Sequence, residues 1–426
     1  MKKFLFILLL AVVLVASSCT SAQTNPTALP PTPALEEEPA DSSTSAAPDF
    51  GASEENPCVP FSILDQILVT PYPGLPEVTE DDWILGAFDA PVTFMEYSEP
   101  QCPYCAQLEP ILTSFQKKYP NDVRVVFRYR PFPESFHDKS ILGCQAMEAA
   151  GMQGKFQEFK NWLFERRSKD ANNANVADLP DSEFWLSVAP DDFDEWLAER
   201  VADLGIDTEQ FLEDMFSEEV VIKIQEAQAS ADALGIKGTP TLFINGFEWP
   251  EGTRGTEIFS VYTELLLHQE NEFKECPQML IDTAKSYSAS IETTKGNIVV
   301  ELFDDTAPYA VNSFIFLSNQ GWYDNLPIIA NDQLILSGDP SNTGVGGAGY
   351  AYKDEVNSNY NFSEPGMLAT YSPFGPNLNG SMFLINKAAV EGQGGTTIFG
   401  KVLNGLEVVN SLTSEDHIIK ITITES

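Results

Sequence analysis

Hydrophobic positions along this chain change their period several times, and the changes mark out its parts. Phe4 to Val15 is an unbroken apolar run, after which Thr20 to Asn56 offers almost no aromatic or regularly spaced apolar residue. Pro91–Tyr97 alternates as a half-buried strand does, and Ala106–Lys118 brings Leu108, Ile111, Leu112 and Phe115 onto one helical face. A second strand is predicted at Val123–Tyr129. A long helical stretch follows, with Phe156, Phe159 and Leu163, then Val221, Ile224, Ala227 and Leu234. Strand periodicity returns at Gly238–Ile244, the Asn245-Gly246 pair signals a hairpin turn, and Glu257–Gln269 predicts a closing helix. From Ser286 the pattern shifts to short strands and Gly-rich turns. Ser288–Thr293 and Ile298–Phe303 read as a hairpin around Lys295-Gly296, and Ala310–Leu317 as a short helix. The expectation is an α/β domain with a helical insertion, followed by a closed all-β barrel with few helices.

Composition changes this picture in one respect. The chain is 43% hydrophobic and 20% charged, enough to bury true cores, but its 63 acidic residues against 24 basic ones give a net charge of −39. Clustered Lys and Arg are what neutralise phosphates, so nucleic acid is excluded as a partner. The three histidines (His137, His268, His417) stand far apart and form no zinc-like spacing with cysteine. No metal and no cofactor is called for.

Lys2 and Lys3 precede the apolar run, and Ala16-Ser17-Ser18-Cys19 follows it. The run is too short for a membrane span and reads as an export signal over residues 1–18. Its end resembles a bacterial lipobox, with Ala16 where Leu, Val or Ile is commoner, and the resemblance implies lipidation at Cys19. Ordinary signal cleavage that leaves Cys19 as a spare thiol is the alternative. Residues 19–57, rich in Pro, Ser, Thr and Glu, are expected to form a disordered tether. The expected location is extracytoplasmic, with the cell membrane engaged only through the lipid anchor.

The chemistry concentrates at Cys102-Pro103-Tyr104-Cys105, at the junction of a predicted strand and helix. A cysteine at a helix N-terminus has free backbone N–H groups and the positive end of the dipole beside its sulfur, which favour the thiolate. Cys105, one turn on, can return to resolve a mixed disulfide. Pro103 occupies a first-turn position where its missing N–H costs nothing. Strand, CPYC helix, strand, helical insertion, Gly238-Thr239-Pro240-Thr241 strand, hairpin and helix together resemble the DsbA-like branch of the thioredoxin superfamily, over residues 58–278. The resemblance implies a thiol–disulfide oxidoreductase with Cys102 and Cys105 as redox pair and a cis-Pro240 beside them. It places Pro103, Tyr104 and Thr239 against the client. It also implies a proton-relay role for Glu96, six residues before Cys102, although a Glu on an exposed strand edge would look the same. Pro-Tyr between the cysteines is compatible with oxidant, isomerase or reductant.

Three cysteines remain in the folded parts. Cys58 and Cys276, each beside a proline, bracket the first domain and are natural disulfide partners in an exported protein. Cys144 falls in an apolar helical pattern and is expected to be a reduced core residue.

Gly321-Trp322-Tyr323-Asp324, Ser337-Gly338-Asp339-Pro340, Gly375-Pro376-Asn377-Leu378-Asn379-Gly380-Ser381 and Phe399-Gly400-Lys401-Val402 resemble cyclophilins, the barrel-shaped prolyl isomerases. The resemblance covers residues 286–426. It implies a pocket in which Arg polarises the prolyl amide among Gln, Phe, Trp and His. Here the Arg position holds Ala330, the two Gln positions Leu336 and Met382, and the Phe position Leu384. The Trp and His positions fall in Glu391–Thr396, which contains neither. A barrier of roughly 18–20 kcal/mol set by amide resonance would go largely unassisted by such a pocket. Asn331 and Lys387 are candidates for a replacement donor. The barrel is therefore read as a degenerate isomerase that holds clients.

Three functions fit these residues: a disulfide oxidoreductase for exported proteins, a bifunctional foldase with isomerase activity, and a non-catalytic surface adaptor. The partners expected of the first are exported client proteins or peptides, and a redox partner that recycles the cysteine pair.

Overall fold

The strong strand of the first domain, Val92–Ser98, has β-branched and aromatic residues on both faces and is buried almost throughout, as a central strand must be. The computed structural model describes residues 51–167, 185–249, 254–282, 284–390 and 395–426. The expected signal peptide, Cys19, most of the tether and Glu391–Gly394 lie outside them. The chain divides into two units, Ser62–Phe273 with Asp339–Ala348, and Lys274–Gly338 and Gly349–Ser426 with the residues up to Phe61. The first strand, β1 (Cys58–Pro60), thus belongs to the second unit.

In the first unit a short helix α1 (Ile63–Ile67) precedes a sheet of β2 (Trp83–Leu85), β3 (Val92–Ser98), β4 (Val123–Tyr129), β5 (Thr241–Ile244) and β6 (Phe247–Glu248). Their order is β2-β4-β3-β5-β6, and only β3 and β4 run parallel. That parallel pair needs a crossover, supplied by α2 (Pro103–Lys118). Phe94 of β3 packs on Phe115 of α2, so the face that carries Phe94, Glu96 and Ser98 looks toward this helix. Between β4 and β5 lie α3 (Ser140–Met152), α4 (Phe156–Glu165), α5 (Phe193–Ala198), α6 (Thr208–Met215) and α7 (Glu218–Ala233). Their core joins Met147, Phe159, Leu163, Trp185 and Phe211 to Cys102 and Cys105. Phe159→Ala in such a core costs about 3–5 kcal/mol. Gly143 of α3 lies where a Cβ would strike the Pro100 ring, so glycine lets the insertion approach the active loop. The Asn245-Gly246 turn forms as read, with φ of 45° and 86°. Helix α8 (Thr256–His268) closes the unit.

The second unit opens with the expected hairpin, β7 (Tyr287–Thr293) and β8 (Gly296–Leu302), then α9 (Pro308–Asn319). Short strands follow: β9 (Ile329–Ala330), β10 (Leu334–Ser337), β11 (Tyr350–Tyr352), β12 (Met367–Thr370), β13 (Phe383–Asn386) and β14 (Ile398–Asn404). A small helix α10 (Leu406–Ser411) and β15 (Ile418–Glu425) end the chain. Eight strands form one curled sheet, β15-β7-β8-β14-β12-β13-β10-β9. The closed barrel expected from sequence is a half-barrel whose edges meet at one bridge, Pro327–His417, among the described residues. Two bonds flank it, Ile328 N–H to Asp416 (3.1 Å) and Ile418 N–H to Leu326 (2.9 Å). The edge strand β9 is only two residues long, and the edges meet over this short stretch.

Strand β1 pairs with β11, and Cys58 is bonded to Cys276 with Cα atoms 6.1 Å apart. The bond expected from sequence is present, but its setting differs. Both cysteines belong to the half-barrel unit, and the first unit begins at Ser62, after the expected boundary at residue 58. Residues 58–60 pair with β11 of the half-barrel, and Lys353, just beyond that strand, holds Pro57 and Glu54. The disulfide therefore ties the segment that enters the redox unit to the segment that leaves it.

Candidate active site

Cys102 is the N-cap of α2 and Pro103 its first residue, as the sequence predicts. The thiol of Cys102 lies 3.3 Å from the carbonyl oxygen of Thr239, in a loop whose Thr239–Pro240 bond is cis. Arg254 donates to the Pro240 carbonyl at 3.0 Å and steadies that loop. The Cys102 thiol is held at about 5, chiefly by a hydrogen bond from the Cys105 thiol, with the N–H groups of Cys105 and Tyr104 adding to it against the cost of burial. Cys105 is pushed the opposite way, first by burial and then by the negative charge forming on Cys102. One thiol is thus biased toward the thiolate and the other toward the protonated form. Tyr104 is 64% exposed and free to meet a client, whereas Cys105 is wholly buried. Cys144 is a buried free thiol whose ionisation is suppressed, first by desolvation, as expected of a core residue.

Glu96 is fully buried, not on a strand edge. Burial raises its pKa, and the nearby carboxylate of Glu109 raises it further. No hydrogen-bond donor meets either carboxylate oxygen of Glu96, so the ionised form has little to stabilise it. Glu109 is buried as well, and desolvation acts to raise its pKa, but the Lys160 charge 2.6 Å away, together with hydrogen bonds from Lys160 and Thr113, lowers it overall. Glu96, Glu109 and Lys160 form a buried cluster. Ser98, two residues along β3 on the same face as Glu96, is buried as well. Sequence reasoning passed over Glu109 and Lys160. The signal was a charged residue within an apolar stripe: Glu109 beside Cys105, Leu108 and Leu112, and Lys160 between Phe159 and Leu163.

The degenerate-pocket positions meet in the half-barrel. Ile329, Leu336, Leu384 and Ala369 stand opposite one another across β9, β10, β13 and β12, so an apolar row occupies this part of the sheet. Ala330 follows Ile329, Met382 precedes β13 and is buried, and Thr396 borders the residues not described. Asn331 accepts from the N–H groups of Gln333 and Leu334, and Lys387 donates to the Leu412 carbonyl at 2.7 Å.

The family comparisons follow these two units. The model of a thioredoxin family matches residues 78–258, and that of the cyclophilin type peptidyl-prolyl cis-trans isomerases matches residues 288–424. The peptidyl-prolyl cis-trans isomerase CYP18-2 of Arabidopsis thaliana is 37% identical over 29% of this chain and 79% of its own length. A Na(+)/H(+) antiporter NhaA 1 of Mycolicibacterium gilvum is 30% identical over 39% of this chain, which spans only 24% of that protein. The crystal structure of Wolbachia pipientis alpha-DsbA1 is similar at 20% identity and a TM-score of 0.34, covering 45% of this chain and 94% of that one. The chain therefore belongs to the cyclophilin type peptidyl-prolyl cis-trans isomerase family through its C-terminal domain, joined to a domain ahead of it that the thioredoxin family model matches.

Proposed function

We propose that this protein is an extracytoplasmic thiol–disulfide oxidoreductase that oxidises exported clients, held to the cell membrane by lipid at Cys19, with the half-barrel serving to bind clients. The observation that carries this reading is the opposed tuning of two adjacent sulfurs, Cys102 held at about 5 and Cys105 held protonated, under a cis-Pro loop. A stabilised thiolate favours the reduced pair, which makes the disulfide form an oxidant. A client thiolate attacks Sγ of Cys102, the Cys102–Cys105 bond breaks, and its electron pair leaves on Cys105. Cys105 takes up a proton through the Ser98 and Glu96 side of the site. A second client thiolate then attacks the client sulfur of the mixed disulfide and expels Cys102 as thiolate. Two electrons pass from client to protein, and a recycling partner of disulfide character must accept them. The Cys58–Cys276 disulfide supports an oxidising compartment.

The test is oxidation of a reduced two-cysteine peptide by the disulfide form of the full chain. Stoichiometric disulfide formation, lost in Cys102→Ser, is expected. Equal peptide oxidation by wild type and Cys102→Ser would overturn the reading. A bifunctional foldase is the second reading, favoured by the 37% identity to a peptidyl-prolyl isomerase.

A further inference from the structure

The loop that carries Cys102 is held from behind by a segment that the exchange chemistry above does not use. Glu99, three residues before Cys102, is completely buried, and its Oε1 lies 2.6 Å from Nδ1 of His137. Its Oε2 accepts the N–H of Gln101 at 2.8 Å. The Gln101 side chain donates to Asp138 at 2.7 Å and accepts the N–H of Lys139 at 2.8 Å. Arg167 donates to the Gln101 carbonyl at 2.5 Å. His137 itself lies between the rings of Phe132 and Phe136 and the Glu99 carboxylate.

A buried carboxylate three residues from a thiolate is an electrostatic liability. Like charges at short range in a low-dielectric site oppose each other's ionisation. Desolvation raises the pKa of Glu99, and the Cys102 charge adds to this, while Gln101, Ser140 and His137 work against it. Arg167 is the other cation on this side, and Cys144 the other thiol that senses Glu99. Asp138 and Lys139 pair with each other at 2.8 Å and add no net charge. The one group in direct contact with Glu99 that can cancel its charge is therefore His137.

We propose that Glu99 and His137 form a charge-neutral pair behind Cys102, so that His137 is a positioning residue that keeps Glu99 from opposing the active-site thiolate. Without His137, each reduction of the disulfide leaves two negative charges, on Glu99 and Cys102, or forces Glu99 to take up a proton. This rests on the redox function proposed above and deepens it.

The experiment equilibrates the full chain with glutathione redox buffers at neutral pH. It uses wild type, His137→Ala, His137→Gln, Glu99→Gln and the double variant Glu99→Gln/His137→Ala, each confirmed folded by circular dichroism. His137→Ala and His137→Gln should shift the equilibrium toward the disulfide by about tenfold, one pKa unit of lost thiolate stabilisation. Glu99→Gln should shift it the other way, and the double variant should return to within about threefold of wild type. The opposite response to the two single changes is the signature of charge, because a packing role would impair both alike. His137 variants within twofold of wild type, or a double variant as impaired as His137→Ala, would overturn the proposal. Failure of the redox reading looks different, since wild type itself would then reach no equilibrium with glutathione. Should His137→Ala fail to fold, His137→Gln, which keeps a donor but no charge, carries the same prediction.

Discussion

The redox unit and the half-barrel treat their inherited polar groups in opposite ways. In the first, Glu96, Glu109 and Lys160 are carried into the interior at a desolvation cost, and each is tied electrostatically to the next. In the second, buried polar groups survive where they shape turns. Asn379 donates to Asp354 and accepts from Thr370, and Asn386 donates to the carbonyls of Glu364 and Ala388. The positions that would act on a prolyl amide hold Ala330, Leu336, Met382 and Leu384 instead. A buried charge without structural use persists only where chemistry needs it. Turn residues persist wherever the fold does, and so fold and site can part company within one chain.

The sharpest way to break this comparison is catalytic. The full chain should isomerise a Pro-containing peptide at least about a thousandfold more slowly than an authentic cyclophilin, since loss of a single transition-state donor already costs about 10²–10³. A chymotrypsin-coupled rate within tenfold of that enzyme would show that the pocket has been rebuilt. Next in size is the buried ion pair. Lys160→Met strands Glu109 without its cation and should cost about 3–5 kcal/mol in urea unfolding, while Lys160→Met/Glu109→Gln should cost clearly less. A double variant as unstable as the single one would mean that the Lys160–Glu109 pair is not what Lys160 contributes, and would point to its ammonium over the Phe127 ring instead.

On the half-barrel side, Cys58→Ser/Cys276→Ser releases a closure that spans 218 residues and should destabilise that unit by about 2–5 kcal/mol, leaving peptide oxidation by the redox unit intact. Melting of the two units followed separately by proteolysis checks it. The smallest effect is a pH dependence. The folded-state pKa of Cys102 is lowered to about 5, so its contribution is present above the unfolded thiol value and is lost as pH falls through about 5. The stability of the reduced protein minus that of the disulfide form should therefore rise from about pH 5 to pH 8.5, by about 3 kcal/mol after allowance for solvent screening. Glu96, whose pKa is raised, loses stability as pH rises in both redox forms and so drops out of the difference.

Much of this was legible in sequence because local chemistry repeats itself. The Asn-Gly turn, the proline after Cys102 and the strand–CPYC–helix junction each demand particular residues at fixed offsets, and all three appear where they were read. What escaped reading depends on distance in three dimensions. Lys160 reaches Glu109 across fifty-one positions of sequence, and His137 reaches Glu99 across thirty-eight. No period within a window can reveal such pairs. The pairing of Cys58-Val59-Pro60 with a strand nearly three hundred residues away escapes reading for a similar reason. That the sheet is a half-barrel whose edges meet at a single bridge, beside a two-residue edge strand, is a detail below the resolution of strand periodicity.

The most direct test of the account is the alkylation rate of Cys102 in the reduced protein as a function of pH, read by mass spectrometry of the modified peptide. The account predicts a single inflection near pH 5 at Cys102, with Cys105 and Cys144 unreactive up to pH 8. An inflection at the ordinary thiol value of about 8.5, or equal reactivity of Cys102 and Cys105, would contradict it.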